Sequence, residues 1–305
     1  MKDLKYYLAK AKDEDFALGA INFSNMETLQ SIVNATNKLN SPAIIAVSES
    51  SFSYIGNFLP YLSSAAKEGN SSLFLHLDHG KSFDICKKAI DMGFDSVMID
   101  ASDLPFEENV ALTAKVCQYA HSKKVLVEGE LGQIKGTEDG ASSYVNHFTS
   151  PNQAKDFVER TGVDMLAISI GTSHGIYKHS GRSLRFDILD AIEKAIPDTP
   201  LVLHGASSVD KSLIEKFQRA GGQLEQAGGI PLPQLSQAIA NHHIAKINTD
   251  TDIRLTFTSA IREQLKHSPR CFDPRKYLAE ARQQVEDLIT FKIEHIFNSK
   301  NKREC

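Results

Sequence analysis

The chain has 305 residues, with 34 basic against 38 acidic side chains, a net charge of -4, and a composition that is 41% hydrophobic and 24% charged. These proportions exclude a disordered chain, a collagen-like repeat and a coiled-coil rod. No basic excess exists to neutralise a nucleic-acid backbone, and no apolar run approaches the roughly 20 residues that a membrane span needs, so neither nucleic acid nor membrane is an expected partner.

The opening MKDLKYYLAKAKDEDF is charged from its start and lacks the apolar stretch of a signal peptide, which points to a cytoplasmic protein. From there, short apolar β-branched runs alternate with longer helical patterns. Strands are expected at 17–23, 43–48, 73–79, 96–100, 125–130, 165–171, 201–205 and 245–250, with helices at 26–39, 83–92, 107–121, 151–161, 186–195 and 211–220. Eight βα units over about 250 residues predict an α/β fold of the (β/α)8 TIM-barrel type. A doubly wound sheet is the alternative, but no GxGxxG follows the first strand.

Two stretches break the rhythm. Residues 132–150, long, polar and glycine-bearing, are expected to form a mobile loop over the catalytic face, and 221–233 is similar. Helical patterns at 251–266 and 274–297 exceed one last barrel helix. The expectation is therefore one domain over 1–305, a barrel to about 266 and a helical arm from about 267 that packs on a partner subunit, with a frayed tail NSKNKREC. Cys86, Cys117, Cys271 and Cys305 form no CxxC pair and are expected as free thiols.

Barrel enzymes carry their chemistry at the C-terminal ends of the strands. There the chain places Asn22, Ser48, Asp78, His79, Asp100, Glu130, His174, His204, Asn248 and Asp250. Turn chemistry explains single Asn, Asp, Ser or Gly residues, but not several imidazoles and carboxylates aimed at one mouth. His79, His174 and His204 are three imidazoles able to bind zinc and leave a fourth position open; cobalt or iron(II) also suits imidazole. Each lies beside a glycine, taken as room for close approach of substrate. Asp78 is a candidate acid/base, with orientation of an imidazole as its alternative role. Asp100 and Glu130 are candidates for imidazole support or a second metal position. The loops Gly205-Ala206-Ser207-Ser208 and Asn248-Thr249-Asp250-Thr251, each before a helix, suit a phosphate or two ordinary N-caps. Gly171–Gly175 with Lys178 is a further anion-friendly loop. Lys246, read as lying at the wrong end of its strand, and Lys178, on a phosphate loop, disfavour Schiff-base chemistry.

LHLDHG (75–80), VMIDAS (97–102), EGELG (128–132), GTSHG (171–175), LVLHGASS (201–208) and INTDTDIR (247–254) together resemble the motif series of the class II, metal-dependent fructose-bisphosphate aldolases, in its shorter class IIB-type branch. The resemblance spans nearly the whole chain. It implies reversible cleavage of fructose 1,6-bisphosphate to two triose phosphates, in glycolysis and gluconeogenesis, by a homodimer or homotetramer. It implies zinc on His79, His174 and His204, with Asp100 and Glu130 at a second or alternate position. It assigns Asp78 to the proton of the C4 hydroxyl and Glu138 to proton transfer at C3. Gly175, Lys178, Gly205, Ser207, Asp250 and Thr251 match the dihydroxyacetone-phosphate pocket. Asn248 matches an enediolate contact, Ser48 and Asn22 match pocket positions, and Arg275 in FDPRK matches an arginine that reaches the other phosphate across a subunit interface. A monovalent cation, Na+ or K+, near Gly175 and Gly205 is also implied. Tagatose-bisphosphate aldolase is the nearest rival; a zinc hydrolase on the same barrel and a non-catalytic sugar-phosphate binder are more distant ones.

Overall fold

A computed structural model describes the chain except residues 1, 139–140, 144–146, 175–182, 208, 210, 225–229, 243 and 305, and except the side chains of 135–138, 141–143 and 173–174. Numbered along the chain, the strands are β1 (Leu18–Asn22), β2 (Ala43–Ser48), β3 (Leu73–Gly80), β4 (Ser96–Ile99), β5 (Leu126–Leu131), β6 (Lys135–Glu138), β7 (Ala141–Ser143), β8 (Met165–Ile168), β9 (Ser173–His174), β10 (Leu201–Leu203) and β11 (Ile244–Thr249). Eight of them close a parallel barrel in the order β1-β11-β10-β8-β5-β4-β3-β2, as the alternating pattern predicts.

The helices are α1 (Leu4–Asp13), α2 (Met26–Lys38), α3 (Glu49–Ile55), α4 (Leu59–Gly69), α5 (Phe83–Asp91), α6 (Phe106–Ser122), α7 (Pro151–Thr161), α8 (Phe186–Ala195), α9 (Lys211–Arg219), α10 (Leu232–His242), α11 (Thr251–His267) and α12 (Pro274–His295). Their starts follow local chemistry. Asp3, Asn25 and Ser82 each accept a backbone N–H in the first turn of α1, α2 and α5. Proline opens α7 and α12, where its missing N–H costs nothing.

Strand side chains alternate between two apolar cores. Outward residues such as Leu73, Leu75 and Leu77 pack under the helices. Inward residues such as Leu18, Ile44, Phe74 and Met165 fill the barrel axis together with Leu4, Tyr7, Leu8 and Ala11 of α1. The first helix is therefore a plug for the barrel floor, a role that its charged sequence hides.

Two expectations need correction. The 132–150 segment is not loop throughout: β6 pairs antiparallel with β7 and parallel with β9, through Lys135↔Ser173 and Gly136↔His174. The tail is not frayed either. Ser299 is buried and meets Ser41 Oγ at 2.8 Å, the N–H groups of Asn301 and Arg303 donate to the carbonyls of Leu39 and Asn40, and Glu304 accepts from Tyr6 at 2.7 Å. Helix α12 lies along α2 of its own chain, where Asn34 donates to Glu286 at 2.9 Å and Ser31 to the carbonyl of Arg282 at 2.8 Å. The buried ion pair Lys292–Asp252, at 2.5 Å, ties it to the start of α11.

Candidate active site

The inward face of each strand becomes polar at its C-terminal end. Two-residue steps lead from Ala20 to Asn22, Ala46 to Ser48, His76 to Asp78, Met98 to Asp100, Glu128 to Glu130 and Lys246 to Asn248, and all six end residues are buried. Strict alternation would send His79 outward, away from Asp78. Two features prevent that. The β3–β4 register skips from Leu77↔Val97 to Gly80↔Ile99, so β3 carries one extra residue, and His79 adopts φ 51°. A bulge of this kind re-aims a side chain, and His is among the residues that tolerate the left-handed region. Asp78 and His79 therefore both face the mouth. Gly80 serves packing rather than substrate approach: a Cβ there would lie 2.8 Å from Leu77 Cδ2 and 2.9 Å from the carbonyl of Met98.

Asp78 accepts from Asn22 Nδ2 at 2.8 Å on one oxygen and from Asn248 Nδ2 at 2.7 Å on the other. Two amide donors suit a carboxylate, which only accepts. The rings of His79 and His204 meet edge-on with centroids 4.5 Å apart. Ligand-type atoms of Asp78, His79 and His204 lie within 4.8 Å of one another, and a second group of His79, Asp100 and Glu130 meets the same limit. His79 Nδ1 bonds Asp100 Oδ2 at 2.8 Å, and Lys81 Nζ reaches the same oxygen at 2.6 Å. Burial alone would raise the Asp100 carboxyl, but the hydrogen bond from His79 and the Lys81 charge hold it well below the usual range. Burial, reinforced by the neighbouring His79, lowers His204, which favours the neutral imidazole that a metal requires. The donor set thus fits a divalent metal: uncharged imidazoles beside buried carboxylates.

Ser48 is buried at the mouth and caps α3. Ser207 Oγ accepts the N–H of Asp250 at 3.3 Å, which joins the two suspected phosphate loops. Asp250 precedes α11 with its side chain paired to Arg254 at 2.7 Å, and in the first turn the Ile253 N–H donates to Asp252 Oδ1 at 3.0 Å. Gly205 sits at φ 60°, a turn that favours glycine. Arg275 is not gathered with these residues. It lies at the start of α12 and is 89% exposed, its guanidinium paired with Asp273 at 2.9 Å. Gly175 and Lys178 lie outside the described residues, as do the side chains of Glu138 and His174; the backbones of the latter two are placed in β6 and β9.

Sequence reading missed one group. Glu128, Lys246 and His76 sit one inward step below Glu130, Asn248 and Asp78, fully buried, with Glu128 bonded to His204 Nε2 at 2.6 Å. The available signal was period two: a charged or imidazole residue two positions before a mouth residue, within an apolar run.

A closed parallel barrel with acid/base and imidazole groups converging at its C-terminal mouth defines an enzyme of the (β/α)8 type. The sequence profile of the fructose-bisphosphate aldolase class-II family matches residues 2–302. The chain is 44% identical to a fructose-bisphosphate aldolase of Treponema pallidum over 98% of its own length and 95% of the relative's. It is 45% identical to one of Thermus caldophilus over 94% and 95%. The crystal structure of the YdjI aldolase from Escherichia coli K12 superposes with a TM-score of 0.81 at 30% identity, covering 99% of each chain. The chain belongs to the class-II fructose-bisphosphate aldolase family, and it is an aldehyde-lyase.

Proposed function

We propose that this chain cleaves fructose 1,6-bisphosphate reversibly to dihydroxyacetone phosphate and glyceraldehyde 3-phosphate. The observation that carries the reading is the Asp78 carboxylate, held on both oxygens by Asn22 and Asn248 and grouped with His79 and His204. His79, His174 and His204 would hold zinc, with Asp100 and Glu130 supporting it or offering an alternate position. When bound, zinc supplies Lewis-acid stabilisation of negative charge on the substrate oxygens.

Asp78 takes the C4 hydroxyl proton as the C3–C4 bond breaks. Asn248 donates toward the enediolate oxygens and keeps Asp78 oriented. Glu138 returns a proton to C3. Ser207, Gly205, Asp250 and Thr251, with Gly175 and Lys178, bind one phosphate at a helix N-terminus. Ser48 and Asn22 shape the pocket, and Arg275 reaches the second phosphate from a neighbouring subunit of a dimer or tetramer. A Na+ or K+ ion near Gly175 and Gly205 completes the phosphate site. The chain acts as one barrel domain with a helical arm, in the cytoplasm. Among the described residues no helix is long and apolar enough to cross a membrane.

A coupled cleavage assay on fructose and tagatose bisphosphates, with and without chelator, tests the reading. Chelation is expected to abolish cleavage and zinc or cobalt to restore it. Full activity after metal removal, verified by elemental analysis, overturns the metal assignment.

A further inference from the structure

Below the mouth the barrel interior holds a second polar layer, in which Glu128, Lys246, His76 and Ser96 have no solvent contact. Glu128 Oε1 lies 2.6 Å from His204 Nε2, and its Oε2 lies 2.7 Å from Lys246 Nζ. Lys246 Nζ also lies 3.3 Å from His76 Nε2, and His76 Nδ1 lies 2.8 Å from Ser96 Oγ. The partners assign the protons. An ammonium only donates, so Lys246 gives to Glu128 and to His76 Nε2, and His76 carries its proton on Nδ1. Lys246 Nζ, 2.7 Å away, supplies the countercharge that a buried carboxylate needs. A carboxylate only accepts, so His204 carries its proton on Nε2. Its Nδ1 faces the mouth, 4.0 Å from Asp78 Oδ1.

We propose that Glu128, anchored by Lys246, is a positioning residue that fixes the tautomer of His204 so that Nδ1 is offered to the metal. The inference rests on the reading of His204 as a ligand. The same order of lysine, carboxylate and imidazole recurs at Lys81, Asp100 and His79, with the ring nitrogens exchanged: there Nδ1 faces the carboxylate. Two imidazoles from different strands are thus each locked from behind, in opposite senses. Ring orientation and tautomer are the properties that such supports control in metal sites.

The arrangement yields a test that a plain structural ion pair would fail. In Glu128→Gln, Lys246 claims the amide oxygen, so the amide nitrogen must face His204 Nε2. His204 Nε2 then has to accept from the amide N–H, and the His204 proton moves to Nδ1, into the metal position. Adding Lys246→Met removes the constraint. The amide turns, its oxygen accepts from His204 Nε2–H, and its nitrogen faces His76 Nε2, which lies 3.6 Å from Glu128 Oε2 in the present protein. Zinc affinity, measured by chelator competition, should fall about 10–100-fold in Glu128→Gln and recover by about tenfold in the double variant. Nitrogen-15 NMR of the metal-free protein should place the His204 proton on Nε2 in the parent chain and in the double variant, and on Nδ1 in the single variant. A double variant that binds zinc no better than the single, or a parent chain with the proton on Nδ1, overturns the proposal. If either variant fails to fold, the parent tautomer alone still decides. His204→Ala separates the premise: wild-type zinc affinity in that variant overturns the ligand assignment itself, while the NMR result continues to judge Glu128.

Discussion

Asn248 reaches from β11 to donate to Asp78 Oδ1 on β3, a 2.7 Å bond between strands that are not neighbours in the barrel. The bond orients the Asp78 carboxylate, the proposed acid/base group, without consuming its role as an acceptor. Asp78→Ala is expected to retain zinc and to lose about 10²–10⁴-fold in cleavage, the usual contribution of a positioned acid/base. Zinc content and kcat measured on one preparation check this. Loss of the metal would make Asp78 a ligand, a role its place in the Asp78, His79, His204 group also permits.

Arg275 pairs with Asp273 and stands at the tip of the α11–α12 hairpin, next to the 93% exposed Phe272. An exposed guanidinium offers a bidentate phosphate contact. Arg275→Ala should weaken cleavage of the bisphosphate by roughly 1.5–3 kcal/mol, or about 10–150-fold, the range for a charge-assisted bond. Fructose 1-phosphate, which lacks the second phosphate, should suffer much less. Mixing Arg275→Ala with Asp78→Ala subunits should restore partial activity if the arginine crosses an interface. Equal losses on both sugars would remove the phosphate role, and inactive verified hybrids would keep Arg275 within its own subunit.

Much of this was legible in the chain and some was not, for identifiable reasons. The eight strands announced themselves because parallel strands covered on both faces are apolar throughout. The mouth residues stood out because each ends such a run. Glu128 and His76 did not, because they lie inside the runs, where one polar residue looks like an interruption. Lys246 was judged by its position along the strand rather than by the face it shares with Asn248. The plug helix α1 was hidden by its charged face, and the tail by its composition: Arg303 and Glu304 read as a solvated end, yet Arg303 meets the Asn40 side chain at 2.8 Å and Glu304 accepts from Tyr6.

Burial, together with the charge of Lys246, keeps His76 well below the ordinary imidazole value. In the unfolded chain it returns to about 6.5. Below that pH the unfolded state binds a proton that the folded state refuses, so stability falls as pH drops. His204 acts in the same direction. The depressed carboxylates Asp100 and Glu128 add their losses only below about pH 4, as pH approaches their folded values. Thermal unfolding of the metal-free protein should therefore show a lower midpoint at pH 5 than at pH 7. His76→Gln should flatten that difference; an unchanged slope would show that His76 does not contribute.

Burial pushes the thiols of Cys86 and Cys117 up to about 12. At pH 8 only about one molecule in 10⁴ would carry either thiolate, the reactive form. Cys271 is only partly buried. A disulfide reagent should label Cys271 in the folded protein and spare the other two until denaturant is added, as peptide mass mapping would read. Rapid labelling of Cys86 or Cys117 in the native state would mean that the helices covering them open.

The extra residue in β3 also limits how this catalyst can vary. A substitution at 78 or 79 changes one group and leaves the other in place. Deleting one residue between 77 and 80 would restore the regular β3–β4 register, and one of the two groups would turn into the apolar layer beneath the helices. The proposed proton acceptor and the proposed metal-binding imidazole are thus inherited as a single frame. A barrel redesigned for a different aldehyde can exchange its loops freely, but it has to carry this length irregularity unchanged.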